Sequence, residues 1–243
     1  MQILIVRHGD PDYSIDSLTE TGWKEAKLLA ERLSKIDMKE IYVSPLGRAQ
    51  DTARPTLEKT GRTAVTLEWL REFSPQILRP DAEGKRKISW DWLPQDWTAQ
   101  EELLDRDTWH TNPVFTEADV KKEYDRVISN FDEFLAQHGY VREGKIYRVE
   151  HANRDTIVLI CHFGLECVLL SHLMNVSPMV LWHGMCAAPT SVTSIYTEER
   201  REGIASFRVN CFGDTSHLYV AGEAPSFAAR FCETYDNMDE RHD

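Results

Sequence analysis

The first 70 residues alternate between short apolar runs and segments with helical spacing. Residues 2–6 form a short apolar run with β-branched side chains and predict a buried strand. Residues 40–43 and 64–67 predict two further short strands. Apolar side chains at positions 23, 26, 29, 30 and 33 predict a helix between the first two runs, beginning near Thr19. A second helix is expected from about Gly47 into the 50s, interrupted near Pro55. This order of elements is typical of an α/β domain with a largely parallel sheet.

The alternation is broken between residues 74 and 116, a segment rich in Pro, Asp and Trp. We predict that this segment is a cap or lid inserted into a single domain that spans residues 1–243. Its tryptophans are better interpreted as the core of the cap than as a stacking surface for an aromatic or sugar-like substrate; they are Trp90, Trp92, Trp97 and Trp109. The basic residues Arg79, Lys85, Arg86 and Lys87 are better interpreted as a solvated charge run than as a site for a second anionic group.

Regular patterning resumes after residue 116. Residues 117–138 carry apolar positions at helical spacing and predict a helix. Strands are expected at 145–149, 156–161, 191–197 and 204–209, with an apolar helix from residue 163 to about 174 and an irregular tail after residue 221. We therefore predict a three-layer α/β/α fold with a mainly parallel central sheet and a cap insertion.

The formal net charge of −12 argues against a nucleic-acid or anionic-membrane partner, which would require a basic face. A protein of this charge must concentrate its arginines locally to bind an anionic substrate. A cytoplasmic location is expected, because the N-terminal residues do not resemble a signal peptide and no apolar run approaches the roughly 20 residues of a membrane span. The five cysteines include no Cys-x-x-Cys pair and predict reduced, mostly buried thiols.

Four groups of polar residues follow strands or begin helices. They lie at residues 7–9 (Arg-His-Gly), 44–53 (Ser-Pro-Leu-Gly-Arg-Ala-Gln-Asp-Thr-Ala), 70–73 (Leu-Arg-Glu-Phe) and 161–164 (Cys-His-Phe-Gly). In a parallel sheet the ligand site lies at the carboxyl ends of the strands. We therefore expect these four groups to meet at one edge of the sheet.

Arg-His-Gly after an N-terminal strand, Ser-Pro-x-x-Arg-Ala-x-x-Thr-Ala after the second strand and a later strand-to-His turn together resemble the histidine phosphatase superfamily, also called phosphoglycerate mutase-like proteins. The resemblance extends from Gln2 to about Leu218, with residues 74–116 poorly matched. It implies a histidine acid phosphatase-type hydrolase that cleaves phosphomonoesters in two steps through a phosphohistidine at His8. No cofactor or metal is expected.

The resemblance also implies roles for the other polar residues. Arg7 and Arg48 would clamp the phosphoryl group, because a guanidinium matches two phosphate oxygens, and His162 would add a donor. The backbone at Gly9 and the hydroxyl of Ser14 would contribute further hydrogen bonds. Glu72 would protonate the leaving alcohol and then deprotonate the attacking water. The expected ligands are small phosphorylated metabolites or inorganic phosphate.

Two alternatives stay open at this point. A phosphoglycerate-type mutase would use the same phosphohistidine, although Tyr13-Ser14 stands where such mutases carry Trp-Asn and Asp10-Pro11 follows Arg-His-Gly. A non-catalytic phospho-ligand binding protein could share the fold. Glu166, one helical turn after His162, is either a tuning residue or an ordinary helix-face charge, whereas His183 and His217 are interpreted as structural. The sequence does not decide whether the chain forms a homodimer.

Overall fold

The computed structural model describes residues 1–242. The strands are β1 Gln2–Arg7, β2 Pro11–Asp12, β3 Ser17–Leu18, β4 Glu40–Val43, β5 Val65–Thr66, β6 Gln76–Leu78, β7 Arg86–Ile88, β8 Tyr140–Glu143, β9 Ile146–Val149, β10 Thr156–Cys161, β11 Val192–Arg201 and β12 Ile204–Asp214. The α-helices are α1 Glu20–Leu33, α2 Gly47–Thr60, α3 Pro94–Trp97, α4 Glu101–Leu104, α5 Pro113–Glu117, α6 Val120–Gln137, α7 Phe163–Met174, α8 Pro178–Gly184 and α9 Ser216–Val220.

Eight strands form one mixed sheet in the order β5-β4-β10-β1-β11-β12-β9-β8. The half from β5 to β1 is parallel, and the half from β11 to β8 is joined by antiparallel pairings. Within residues 1–242, six of these eight strands run in the same direction. The α/β class and the mainly parallel sheet are thus confirmed, and the parallel half carries the strand ends at which the four polar groups were predicted to meet.

The sheet is covered by helices on both faces. Ile3 and Ile5 of β1 lie in a core with residues of α6, α7 and α8, whereas Leu4 and Val6 lie in a second core with residues of α1 and α2. A central parallel strand must be apolar at every position because both of its faces are buried. That requirement explains the unbroken apolar run at residues 3–6.

The segment 74–116 folds into the β6–β7 hairpin and short helical turns. Trp92 and Trp109 are 4% and 1% exposed and belong to the same core as α6–α8. The interpretation of the tryptophans as core residues is therefore right for these two, while Trp90 and Trp97 are partly exposed. The solvated charge run is wrong for Arg79, whose guanidinium is buried against both carboxylate oxygens of Asp81 at 2.9 and 2.8 Å.

Several boundaries differ from the sequence-based expectations. Helix α2 continues through Pro55, because Ala53 and Thr56 are buried on either side of it and their packing outweighs the one lost backbone bond. The sequence pattern missed β8, α8 and α9, each of which is short. The expectation of mostly buried thiols is wrong for Cys186 and Cys211, which are exposed, although none of the five cysteines forms a disulfide within residues 1–242.

The irregular tail after residue 221 is held against the body of the protein. The hydroxyl of Ser226 donates to Asp10 at 2.5 Å, and the backbone N–H of Ser226 donates to Glu25 at 3.3 Å. Among residues 1–242, no helix is both long and apolar enough to cross a membrane.

Candidate active site

Two neighbouring parallel strands bring His8 and His162 together. β1 and β10 pair in a register that sets Arg7 opposite Cys161, so the residue after each strand is a histidine at the same edge. The two imidazole rings lie 5.1 Å apart between centroids, and both side chains are buried. β4 ends beside them, and the Oγ of Ser44 lies 2.8 Å from Nε2 of His162.

The tautomer of His8 follows from one hydrogen bond. Nδ1 of His8 lies 2.7 Å from the carbonyl oxygen of Gly9, which can only accept, so Nδ1 carries the proton and Nε2 keeps its lone pair. Burial, followed by the positive charge of Arg7, holds the pKa of His8 well below its usual value, and Arg48 acts in the same direction. His8 is therefore a neutral imidazole near pH 7, with a nucleophilic nitrogen available.

Two arginines flank the histidine pair. Nη1 of Arg7 donates to the carbonyl oxygen of Ala187 at 2.6 Å, while its Nε has no hydrogen-bond partner among residues 1–242. Nη1 of Arg48 donates to Asp16 at 2.6 Å, and its guanidinium lies 5.4 Å from the centre of the Tyr13 ring. Each guanidinium is thus fixed from one side by the protein and retains further N–H groups for an anion.

His162 is also neutral. Burial first, and then the neighbouring His8, Arg48 and Arg7, hold its pKa well below the usual value. Its Nδ1 has no hydrogen-bond partner among the described residues. A buried polar atom of this kind is rare in folded proteins and is expected where a ligand completes the site.

The carboxyl group of Glu72 packs against the N-terminus of α7. Its Oε1 accepts from the backbone N–H of Phe73 at 2.8 Å and of Leu165 at 2.9 Å, and its Oε2 accepts from Gly164 at 3.4 Å. These bonds favour the carboxylate, but desolvation outweighs them and raises the pKa of Glu72 above its usual value. A carboxyl in this state can hold a proton more readily than an exposed one.

Gly164 makes this arrangement possible. A Cβ at this position would lie 2.8 Å from Oε1 of Glu72 and 2.8 Å from the indole of Trp90, closer than real Cβ contacts come. The Phe-Gly pair that follows His162 therefore has a steric reason: only glycine lets α7 begin against the carboxyl group.

The structure does not bring every predicted residue to the histidine pair. Ser14 is exposed, and its hydroxyl donates to Asp12 at 2.6 Å. The N–H of Gly9 donates to Thr52 at 2.9 Å, so this donor is already in use. A substrate contact from either residue stays a prediction that requires a local rearrangement.

The sequence alone did not assign a role to two carboxylates near the site, Asp16 and Glu166. Asp16, which fixes Arg48, lies in a polar loop with no motif to distinguish it. Glu166 is only 1% exposed, and burial raises its pKa to about 7 although the side chain of Thr193 donates to it. The alternative of an ordinary solvated charge is thus wrong; the only signal for burial was a lone acid in an apolar helix.

The remaining histidines lie outside this group. His183 is hydrogen-bonded to Met179 and Trp92 and stacks on Trp97. Nε2 of His217 lies 3.1 Å from the hydroxyl of Thr190. Within the described part of the chain, no group of three or more His, Cys, Asp or Glu side chains is placed to hold a metal ion.

Comparison with known proteins adds a family and a fold. The family model described as histidine phosphatase superfamily (branch 1) matches residues 3–210. A Schizosaccharomyces pombe protein described as a probable phosphatase is 26% identical over 233 residues, which cover 90% of this chain and 95% of that protein.

Solved structures agree with that match. An Entamoeba histolytica phosphoserine phosphatase in complex with 3-phosphoglyceric acid has a TM-score of 0.57 at 16% identity, covering 89% of this chain and 98% of that one. A mycobacterial glucosyl-3-phosphoglycerate phosphatase has a TM-score of 0.55 at 20% identity, covering 88% and 99%. At these identities the likeness concerns the fold.

Proposed function

Because the chain belongs to the histidine phosphatase superfamily, we propose that it hydrolyses phosphomonoesters of small metabolites through a phosphohistidine formed at His8. The observation that carries the proposal is the hydrogen bond from Nδ1 of His8 to the carbonyl of Gly9. It leaves Nε2 unprotonated in a buried site between two guanidinium groups.

In the first step, Nε2 of His8 attacks the phosphorus atom and the ester oxygen departs. The transferred group spreads its negative charge over three equatorial oxygens, which Arg7, Arg48 and His162 would contact. Glu72 supplies the proton to the departing alkoxide. We assign that proton to Oε2, whose only backbone hydrogen bond among residues 1–242 is the long one from Gly164.

In the second step, the ionised Glu72 accepts a proton from a water molecule that attacks the phosphohistidine. The P–N bond breaks, inorganic phosphate leaves, and His8 returns to the neutral form with Nδ1 protonated. Arg7 and Arg48 supply the positive charge that a metal ion would otherwise provide to the phosphoryl oxygens, so the reaction needs no added metal ion.

The test is phosphate release from a panel of phosphorylated metabolites and para-nitrophenyl phosphate in the presence of EDTA. We expect release by the wild-type protein and by His151→Ala, an exposed histidine variant, and none by His8→Ala. Interconversion of phosphoglycerates that requires a bisphosphorylated primer would favour the mutase instead. Phosphate binding with no turnover of any compound would favour a binding protein.

A further inference from the structure

A second cleft lies beside the histidine pair and is not used by the proposed chemistry. It has a volume of about 760 Å³ and lies between the cap segment and residues 230–242 of the tail. Residues 211–242 follow the part of the chain that the family model matches, so the tail wall lies outside that match.

The cleft is adjacent to the site of phosphoryl transfer. Phe163, one of its lining residues, directly follows His162. Cys186, another lining residue, precedes Ala187, whose carbonyl holds Arg7, and lies within electrostatic range of both Arg7 and Arg230. These connections to His162 and Arg7 make the cleft the candidate position for the leaving group of a phosphoryl ester bound at His8.

The walls of the cleft are largely aromatic. The cap and the body of the protein contribute Trp92, Trp97, Phe163 and Trp182, and the tail contributes Phe231 and Tyr235. Trp97 stacks on His183 with a centroid separation of 4.8 Å, and burial lowers the pKa of His183 to about 4, so this ring pair is uncharged near pH 7. Such surfaces favour planar apolar groups.

On the side of the cleft formed by the cap and α8, the polar groups of His183, Trp92 and Trp182 are already satisfied within the protein. Nδ1 of His183 donates to Met179 at 2.7 Å, and its Nε2 accepts from the backbone of Trp92 at 3.0 Å. The indole N–H of Trp92 donates to Ser89 at 3.0 Å, and that of Trp182 donates to Gly164 at 2.9 Å. This wall therefore offers few hydrogen bonds to the hydroxyls of a sugar, which would lose their water without replacement.

The charges of the lining are unequal. Asp81 is neutralised by Arg79 through two hydrogen bonds. Beyond this pair, the lining has one further carboxylate, Asp91, and three further cationic residues, Lys87, Arg230 and Arg241. The pairing of Arg230 with Glu233 is a long surface contact of 3.6 Å. In a chain with a net charge of −12, this local excess of positive charge suits an anionic substituent.

We propose that the cleft binds the leaving group, and that the preferred substrates are phosphate esters of aromatic alcohols carrying a second acidic group. This inference rests on the proposed phosphatase function. It assigns Trp97 and Phe231 to the recognition of the ring, and Lys87 to the recognition of the acidic group.

The test compares kcat/KM for phenyl phosphate, 4-carboxyphenyl phosphate and glycerol 2-phosphate. We expect Trp97→Ala and Phe231→Ala each to lower the ratio of phenyl to glycerol phosphate about tenfold. Lys87→Glu should lower the ratio of carboxyphenyl to phenyl phosphate about tenfold, whereas Lys85→Glu, on the same hairpin but outside the lining, should leave it unchanged. Comparing each ratio between a variant and the wild type cancels the intrinsic reactivity of the leaving groups, because that reactivity is the same for every variant.

A binding measurement tests this inference separately from the proposed function. Titration calorimetry with benzylphosphonate, 4-carboxybenzylphosphonate and methylphosphonate measures the same preferences without turnover. No hydrolysis combined with tighter binding of the aromatic phosphonates would contradict the proposed function and support the cleft assignment. Unchanged ratios in Trp97→Ala and Phe231→Ala, or a rise in activity toward all three esters in Phe231→Ala, would overturn the cleft assignment.

Discussion

At the scale of single residues, the site depends on which groups are kept neutral. Burial lowers the pKa of His8 and His162 and raises the pKa of Glu72 and Glu166, so each of the four is shifted toward its uncharged form. The nearby guanidinium groups remain charged. An incoming phosphate dianion thus meets two cations and no fully exposed carboxylate at the histidine pair.

Glu72→Gln tests the acid–base role directly. With alkyl phosphates the alkoxide must be protonated as it leaves, so we expect kcat to fall about 100-fold or more. With para-nitrophenyl phosphate the leaving group is stable as an anion, so the first step should survive and only the attack of water should slow. Stopped-flow absorbance should then show a burst of one nitrophenolate per site.

The matched control is Glu68→Gln, an exposed carboxylate on the preceding turn, which should retain wild-type kinetics with both substrates. An equal loss of activity on alkyl and nitrophenyl esters with no burst would argue against Glu72 as the acid and base.

Glu166 makes the stability depend on pH. Because the folded pKa is raised from 4.5 to about 7, the folded state holds its proton through a range in which the unfolded state releases it. Stability therefore falls as the pH rises from about 4.5 to 7, by about 3 kcal/mol in total. Glu166→Gln removes this dependence.

Urea unfolding at pH 5 and pH 8 measures the effect. The free energy of unfolding of Glu166→Gln, relative to the wild type, should be higher at pH 8 than at pH 5 by up to about 3 kcal/mol. Glu133→Gln, an exposed position on α6, should show no such change. A difference for Glu166→Gln that is constant with pH would rule out the buried, proton-holding carboxyl.

At the scale of elements, the turn from β10 into α7 positions His162, the Glu72 carboxyl and the backbone N–H groups that bind this carboxyl. It ends a buried strand with His162, leaves space for Glu72 and directs its first backbone N–H groups at that carboxylate. The positive end of a helix at this place explains how a partly buried acid is still held in one orientation.

Gly164→Ala probes this turn. The new methyl group would displace the Glu72 carboxyl, because the space for it is occupied by Oε1 and by Trp90. We expect a loss of about 1–3 kcal/mol in stability and a fall in kcat that exceeds any change in KM. Gly184→Ala, at a helical glycine with nothing within 4 Å of its Cβ position, is the control. Wild-type kcat in a folded Gly164→Ala protein would contradict the placement of Glu72.

Elements of strong periodicity could be predicted from the sequence, and weak ones could not. The strand at 156–161 and the helices α1 and α6 have buried faces that appear directly as apolar spacing. Helices α8 and α9 contain only seven and five residues, too few to display a period. The predicted interruption of α2 at Pro55 was wrong because tertiary packing outweighs the low helix propensity of proline there.

At the scale of the whole molecule, the parallel half of the sheet explains why the polar groups could be located before the structure. Strand ends meet at one edge regardless of the sequence between them, so His8, Ser44 and His162 were expected together. The partners of these groups could not be inferred, because Ala187, Asp16 and Gly9 act through carbonyls or from loops that carry no pattern. The tail wall of the cleft was unpredictable for the same reason.

Ligand binding should stabilise the entire fold. Since an oxyanion binds only the assembled site, inorganic phosphate at 100 times its Kd should raise the free energy of unfolding by about 2.7 kcal/mol. Thermal denaturation should show the rise for the wild type and for Arg62→Ala, a distant partly exposed arginine, but not for Arg48→Ala. An equal rise in all three proteins would place the anion elsewhere.

The most direct test of the central claim is to trap the covalent intermediate. The Glu72→Gln protein is mixed with para-nitrophenyl phosphate, quenched in alkali, in which phosphohistidine survives, and digested for mass spectrometry. We predict a phosphoryl group on the peptide that contains His8, at Nε2, and its absence from His8→Ala/Glu72→Gln. Turnover by the wild type without any adduct on His8, or an adduct that persists in the double variant, would contradict the account.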